Sequence, residues 1–276
     1  MQYEKETWRL LKMPPAQGAW NMAVDESILH GIYIGDSLPT LRLYSWSPPC
    51  FSLGYAQPYS DVNEEFLTTA GWQLVRRPTG GRAILHTDEL TYAVIGPNDE
   101  PRLAGGVLES YSRLASALLQ ALILLGLPAE SKETYIKQSQ SNNQNPVCFE
   151  VPSNYEITVN EKKLIGSAQA RRKEGILQHG SLPLTGDITR ILSALFYEND
   201  EAQMASASRL LTRATTVERE LGYSITWEKA ASAVIQAFET VLNLKLVPGE
   251  LTSFEAERAD QLMQEKYGHD SWTFRV

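Results

Sequence analysis

Residues 76–94, RRPTGGRAILHTDELTYAV, constrain the fold more tightly than any other stretch of the chain. Leu74 and Val75 end an apolar run, and Pro78-Thr79-Gly80-Gly81 breaks it. Ala83, Ile84 and Leu85 resume it, and residues 90–95 supply another apolar run. Adjacent glycines permit positive φ and let a ligand come close to main-chain N–H groups. The pattern reads as strand, tight turn, strand: a β-hairpin. Arg76, Arg77, Arg82 and His86 surround the turn, a positive concentration in a chain of formal net charge -8. A glycine turn alone is most simply a hairpin with solvated arginines. The concentration of charge points instead toward an anion or carbonyl site.

The same negative balance argues against non-specific nucleic-acid binding. With 276 residues, 43% of them hydrophobic, the chain can bury a sizeable core in one domain. Its start, MQYEKETW, has no apolar segment of the signal-peptide kind. The apolar helix around 114–127, interrupted by Ser116 and Gln120, reads as too short for a bilayer and as a core helix. No membrane partner is expected. Two cysteines, Cys50 and Cys148, make neither a disulfide framework nor a zinc site, which fits a cytoplasmic, reduced protein. There is no HExxH and no Walker-type G-x-x-x-x-G-K, so neither a metal nor a bound nucleotide cofactor is indicated.

Along the chain, 8–12 reads as a strand. Residues 21–32 read as an amphipathic helix, with Met22, Ile28, Leu29 and Ile32 inward and Asp25 and Glu26 opposite. Strands follow at 40–46 and 51–55. Asp61 and Glu64 suggest a capping box for a helix to about Ala70, closed by Gly71. Residues 107–125 form the longest helix. Residues 133–154 are rich in Ser, Asn and Gln and carry Cys148; a loop this long in a compact domain is usually functional or disordered. Strands 155–159, 163–169 and 176–184 make a β-meander. Helices at 188–196, 204–211, 227–242 and 252–266 close the chain, the last with a Thr252–Glu255 capping box. No repeat or linker divides it. The expectation is one α+β domain over 1–276, with a core of about 30–215 and a helical C-terminal extension of about 216–276.

Four residues are candidates for chemistry. Cys148 lies on a polar, proline-flanked loop, and nearby positive charge would favour its thiolate; a lone cysteine is as readily incidental. Cys50, between Pro49 and Phe51, reads as packed. Lys163 starts a strand that continues through Gly166, Ser167 and Ala168. It is either a solvated turn residue or a group that polarises a carbonyl or takes its proton. The strand between Lys163 and the Cys148 loop runs back roughly 20 Å, whereas the linker 148–153 reaches about 17–18 Å. The two side chains therefore meet only if the loop folds back over the hairpin. His86 and His179 lie near strand ends and read first as hydrogen-bonded structural histidines.

RRPTGGRAILH, followed by PVCFEVPSNYEITVNEKKLIGSAQARRKEGILQHGSLPL, resembles the biotin/lipoate protein ligase and transferase superfamily, and within it octanoyltransferases of the LipM type. NMAVDE at 21–26, YSWSPPCFSLGYAQ at 44–57 and the ending KYGHDSWTFRV agree as well. The resemblance implies a mixed β-sheet flanked by helices, the biotin/lipoate protein ligase catalytic fold related to class II synthetases. It also implies transfer of an octanoyl group from acyl carrier protein to a lysine of a lipoyl-accepting protein, with glycine cleavage H protein the usual acceptor. The family's acyl-accepting cysteine matches Cys148 and its catalytic lysine matches Lys163. The segment Arg76 to Arg82, with Gly80 and Gly81, matches the wall of the acyl pocket. His86, Gly166, Ser167 and His179 are the remaining expected substrate-binding positions. Main-chain N–H groups near Gly80-Gly81 or near Gly166-Ser167 are alternative oxyanion donors. Arg171, Arg172 and Lys173, with Arg76 and Arg77, are expected to steer acidic protein partners. Arg82 and Thr87-Asp88-Glu89 depart from the ATP-using ligases, which have no counterpart of Cys148. The rival readings are an ATP-dependent lipoate–protein ligase, an octanoyl amidotransferase drawing on H protein, and a non-catalytic binder of lipoyl domains.

Overall fold

The computed structural model describes residues 3–133 and 155–276, so Cys148 lies outside the described residues. In chain order the first half contains β1 (Glu6–Lys12), α1 (Gly18–Tyr33), β2 (Thr40–Tyr44), β3 (Cys50–Leu53) and α2 (Glu64–Ala70). After these come β4 (Gln73–Arg76), β5 (Ile84–His86), β6 (Glu89–Gly96), α3 (Val107–Leu124) and β7 (Ala129–Glu133). The second half contains β8 (Tyr155–Val159), β9 (Lys162–Arg172), β10 (Gly175–Pro183), α4 (Asp200–Arg213) and α5 (Val217–Leu221). It ends with α6 (Trp227–Val241), β11 (Leu244–Pro248), α7 (Ser253–Leu262) and α8 (Asp270–Thr273).

An eight-stranded sheet, in the order β11-β1-β2-β6-β10-β9-β8-β7, is the backbone of the molecule. β1 pairs parallel with both β11 and β2, and the remaining neighbours are antiparallel. The sheet is therefore mixed, as expected. Every residue of β6 is buried, because helices cover both faces at the centre of the sheet. On one face α3 and α6 bring Leu114, Leu118, Val234 and Phe238 against Leu41, Leu43 and Val94. On the other, α1 and α7 bring Met22, Ile28, Leu29 and Leu262 against Leu11, Ala93 and Leu177. β8, β9 and β10 form the expected meander, running Tyr155–Val159, Lys162–Arg172 and Gly175–Pro183.

Residues 76–94 do not form a hairpin. β4 and β5 belong to a second, three-stranded sheet of order β4-β3-β5, in which β3 lies between them, parallel to β4 and antiparallel to β5. The connection from Arg77 to Ala83 is too long for a two-residue hairpin turn. Phe51 and Leu53, fully buried on β3, supply the pairing instead. The glycine turn thus projects over β3, with Gly81 at φ 89° and its carbonyl directly over Gly54.

Other boundaries differ for local reasons. α2 is capped by Asn63, whose side chain accepts from Phe66 N, and not by Asp61, which ends a 3-10 turn. Gly71, in the left-handed region, closes that helix as expected. The Thr252–Glu255 capping box forms, and Glu255 also takes both Arg9 Nη atoms, tying α7 to β1. Residues 216–276 are not only helical, since β11 extends the main sheet beside β1. α3 does reach the length and apolar character of a bilayer span, contrary to expectation, but it lies along α6 with Leu114, Leu118 and Leu122 in the core. Asp25 and Glu26, expected on the wet face of α1, are both buried: Asp25 turns to the main sheet, against Arg42, Tyr44 and His179, and Glu26 is covered by Lys266 and Tyr267 of the C-terminal segment.

The Gly54 contact gives a stability test. A Cβ at Gly54 falls 1.9 Å from Gly81 O, a main-chain atom that cannot rotate away. Gly54→Ala is expected to cost roughly 1–3 kcal/mol, the range for overpacking. A Cβ on the neighbouring Gly80 meets nothing within 4 Å, so Gly80→Ala should stay within about 0.5 kcal/mol of the parent. Thermal melting of the two variants measures the contrast; equal melting temperatures would contradict this placement of the turn.

Candidate active site

Two relays of buried side chains hold the glycine turn. In the first, His179 of β10 lies between Asp25 of α1 and Thr79 of the turn, with Nδ1 3.2 Å from Asp25 Oδ2 and Nε2 2.6 Å from Thr79 Oγ1. Arg42 donates to Asp25 Oδ1 at 2.6 Å and to Asn21 Oδ1 at 2.7 Å, and Tyr44 OH donates to Asp25 Oδ2 at 3.0 Å. Burial pushes the Asp25 carboxyl up, but Arg42 and the His179 hydrogen bond outweigh it and hold it below the ordinary carboxylate value. Burial likewise pushes the His179 imidazole below its ordinary value; Asp25 opposes this, and Arg77 reinforces it. Arg42 already answers the Asp25 charge, so a neutral imidazole suffices: Nδ1–H donates to Asp25 and Nε2 accepts the Thr79 hydroxyl. This tautomer is inferred from the partners.

The second relay runs from Glu89 through His86 and Ser52 to Arg77. His86 Nδ1 lies 2.6 Å from Glu89 Oε1, and His86 Nε2 lies 2.8 Å from Ser52 Oγ. Arg77 donates to Ser52 Oγ at 2.9 Å and, through Nη2, to Gly80 O and Arg82 O, each at 2.9 Å. Thr91 and Ser181 also donate to Glu89. Burial raises the Glu89 carboxyl, but His86 and these hydroxyls bring it below its ordinary value. Ser52, His86 and Glu89 follow the hydroxyl–imidazole–carboxylate order of a nucleophile relay. Ser52 is fully buried, however, and its hydroxyl is occupied by Arg77. The relay fixes Arg77, and Arg77 fixes the turn.

A narrow slot lies beneath the turn. Met22, Trp46, Ile84 and Ala168 form its apolar walls, and Gly166 and Gly180 line it on the side of β9 and β10. A Cβ at Gly180 would fall 2.6 Å from Ser167 Oγ and 2.6 Å from Tyr92 Cε1. Trp46 stacks on His86 at 3.9 Å and anchors its indole N–H on Thr91 Oγ1 at 2.8 Å. Tyr92 OH donates to Ser167 Oγ at 2.7 Å and is itself held by Gln178 at 3.0 Å. The slot adjoins a wider cleft bordered by Gly80, Gly81, Arg82, Gln169, Arg171 and Arg172.

The expected site residues divide into groups. Gly166, Ser167, His86, His179 and Arg77 line the slot, while Gly80, Gly81 and Arg82 border the cleft. Arg76 and Arg77 are not solvated and do not steer partners: both are buried and donate to main-chain carbonyls, Arg76 to Thr273 O, Gly54 O and Gln57 O. Carbonyls pointing inward from the turns at 54–57 and 77–82 need donors, and the two guanidinium groups supply them. Arg171 is similarly drawn to Leu103 O and Gly105 O. Lys163 is not a solvated turn residue. It is 4% exposed at the start of β9, where its carbonyl accepts from Thr215 N. Cys50 is fully buried, and burial, then the Glu89 charge, raises its thiol far above the ordinary value, so it packs as expected. Asp25, Arg42, Tyr44, Glu89 and Tyr92 went unrecognised in the sequence; an Asp-Glu pair inside an otherwise apolar helix was the available signal.

Residues 17–239 match the family model described as the lipoyl protein ligase A/B catalytic domain. The chain is 38% identical over 273 residues to the octanoyltransferase LipM of Kyrpidia tusciae, covering 98% of this chain and 99% of that one. It is 35% identical to the octanoyltransferase LipM of Bacillus subtilis, covering 99% of each. Among solved structures, a bipartite lipoate protein ligase from Thermoplasma acidophilum shares the fold with a TM-score of 0.80 at 23% identity, over 98% of this chain and 96% of that one. A lipoate-protein ligase A bound with ATP superposes with a TM-score of 0.77 at 25% identity, over 97% of this chain and 98% of that one.

The His179 relay predicts a pH dependence. A histidine whose folded value is depressed contributes stability that is complete above its unfolded value, 6.5, and is lost as pH falls through the folded value. The melting temperature should therefore decline from pH 7 toward pH 5. His179→Gln should melt lower at pH 7 and show a shallower decline over that window. An unchanged slope in the variant would assign the pH dependence elsewhere.

Proposed function

Because the chain belongs to the lipoyl protein ligase A/B catalytic domain family and is an octanoyltransferase of lipoate biosynthesis, we propose that it takes octanoyl from acyl carrier protein and delivers it to a lipoyl-accepting protein through an acyl-cysteine. The observation that carries this reading is the slot: walled by Met22, Trp46, Ile84 and Ala168 and lined by no carboxylate that would hold water there, it suits an unbranched aliphatic chain. The acceptor proposed is a lysine of glycine cleavage H protein.

The Cys148 thiolate attacks the carrier thioester carbonyl, the carrier thiol leaves, and an octanoyl-Cys148 thioester remains. The acceptor ε-amine then attacks that carbonyl, the Cys148 thiolate leaves, and an amide is formed. Exchange of a thioester for a thioester is near balance, and thioester to amide runs downhill, so no nucleotide is consumed. Lys163 orients the carbonyl or moves the amine proton. Two protein substrates cannot both dock over one slot, and a covalent relay separates their visits in time.

Incubation with octanoyl-carrier protein, without ATP and without acceptor, should add one octanoyl mass to the intact chain, removable by hydroxylamine. Peptide mapping should place it on Cys148, and Cys148→Ser should lose both the adduct and nearly all transfer. A label on Cys50, or full activity in Cys148→Ala, overturns the mechanism.

Lys163→Met keeps the buried apolar stem and removes only the ammonium. We expect a folded protein by circular dichroism and transfer slower by about 10²–10⁴, the range for a placed acid or base. Turnover within a few-fold of the parent would leave Lys163 a purely structural role.

A further inference from the structure

The cleft beside the slot collects positive charge at one end. Arg275 lies over the Tyr55 ring, 3.7 Å from its centroid, and over the Trp272 ring at 4.4 Å. Lys266 Nζ lies over the Trp272 ring, 4.2 Å from its centroid. Arg172, at the end of β9, lies 3.7 Å from Glu26, which also accepts from Lys266 at 2.6 Å and from Tyr267 OH at 2.5 Å. Arg172 and Lys266 thus share one carboxylate, and Arg275 stands over the rings beside them; Glu174 is approached by Lys173 at 3.8 Å. The Tyr55 phenol is held below its ordinary value by Arg275 first, then Arg172 and Lys266, which marks these groups as neighbours. Beneath them Arg76 is wholly buried, and its Nη2 has no hydrogen-bond partner among the described residues. Burial first, and then the like charge of Arg275, lower its value. Arg76 Nε and Nη1 are answered by main-chain carbonyls, Thr273 O, Gly54 O and Gln57 O.

Geometry relates this end to the slot. Gly166 and Ala168 of β9 line the slot, and Ala170 and Arg172 of the same strand line the cleft. Gly166 to Arg172 spans six residues, about 20 Å of extended strand. A ligand laid along it has its apolar, reacting end under the glycine turn and its other end among Arg172, Lys266 and Arg275.

We propose that Arg172, Lys266 and Arg275 bind the phosphate of the arm on which the donor carries its acyl group. This rests on the reading that the donor is an acyl carrier, whose thioester ends an extended arm anchored by a phosphodiester. A negatively charged chain that gathers Lys266 and Arg275 over the rings of Trp272 and Tyr55, with Arg172 beside them, offers a phosphate a cationic site, since guanidinium groups bind phosphate oxygens in fork geometry. A nucleotide phosphate has the same chemistry, and the test separates the two.

Binding is measured by ligand-detected NMR with 4′-phosphopantetheine, pantetheine and ATP, none of which requires turnover. We expect 4′-phosphopantetheine to bind at least tenfold more tightly than pantetheine and more tightly than ATP. Arg172→Gln with Arg275→Gln should erase the difference, with Arg275→Gln alone, an exposed side chain, as the variant that cannot unfold the core. Equal binding of the two arms, binding of neither, tighter binding of ATP, or a preference that survives in both variants overturns the proposal. The octanoyl adduct on Cys148 is read separately, so loss of that adduct with arm binding intact would sink the transfer mechanism and leave the phosphate site standing.

Discussion

The burial of two carboxylates, Asp25 and Glu89, is the constraint on which the site depends. Neither can stand alone in an apolar interior, where removing the partner of a buried ion costs about 3–5 kcal/mol. Against a total stability of roughly 5–15 kcal/mol, that is enough to decide what surrounds them. Asp25 therefore collects Arg42, Tyr44 and His179, and Glu89 collects His86, Thr91 and Ser181. In each set the imidazole reaches past its acid to a hydroxyl, and each hydroxyl leads to the glycine turn. The charges serve as anchors: they turn a segment rich in glycine, which has the largest entropy to lose on ordering, into a fixed wall.

Fixing the wall from behind leaves its front apolar. The slot is faced by Met22, Trp46, Ile84 and Ala168, with the polar groups satisfied among themselves and not aimed at the contents. Satisfied networks of this kind specify one arrangement, whereas a half-satisfied one would invite water into a space meant for hydrocarbon. Tyr92, Ser167 and Gln178 do the same for the side of the slot formed by β9 and β10.

The C-terminal segment completes the site from the opposite end of the chain. Thr273 O and Trp272 Nε1 meet Arg76 Nε and Arg76 O, so the last helix is stitched to β4. Lys266 and Tyr267 satisfy Glu26, the neighbour of Asp25 on α1. A segment that reads as a peripheral helical ending is thereby one wall of the cleft and the cover that buries α1.

Much of the architecture was legible in the sequence because it is local. The β8–β9–β10 meander followed from alternation and turns, α6 and α7 from period and caps, and the family from blocks of residues set at 76–86 and 146–184. Cys50 was readable as packed from its apolar neighbours. What the sequence could not decide was which side chains meet across the fold. The apparent hairpin at 76–94 is two strands separated by β3, because strand pairing is a long-range choice that alternation alone leaves open. Asp25 and Glu26 looked solvated because helical periodicity knows only its own axis: Asp25 meets Arg42, Tyr44 and His179 of the sheet, and the cover of Glu26 comes from 240 residues away. Arg76 and Arg77 looked like a surface charge for the same reason: only the tertiary structure shows the inward-turned carbonyls at 54–57 and 80–82 that draw them inside. Residue types and spacing determined the elements and the family; burial, a property of the assembled chain, decided which charges act on the site.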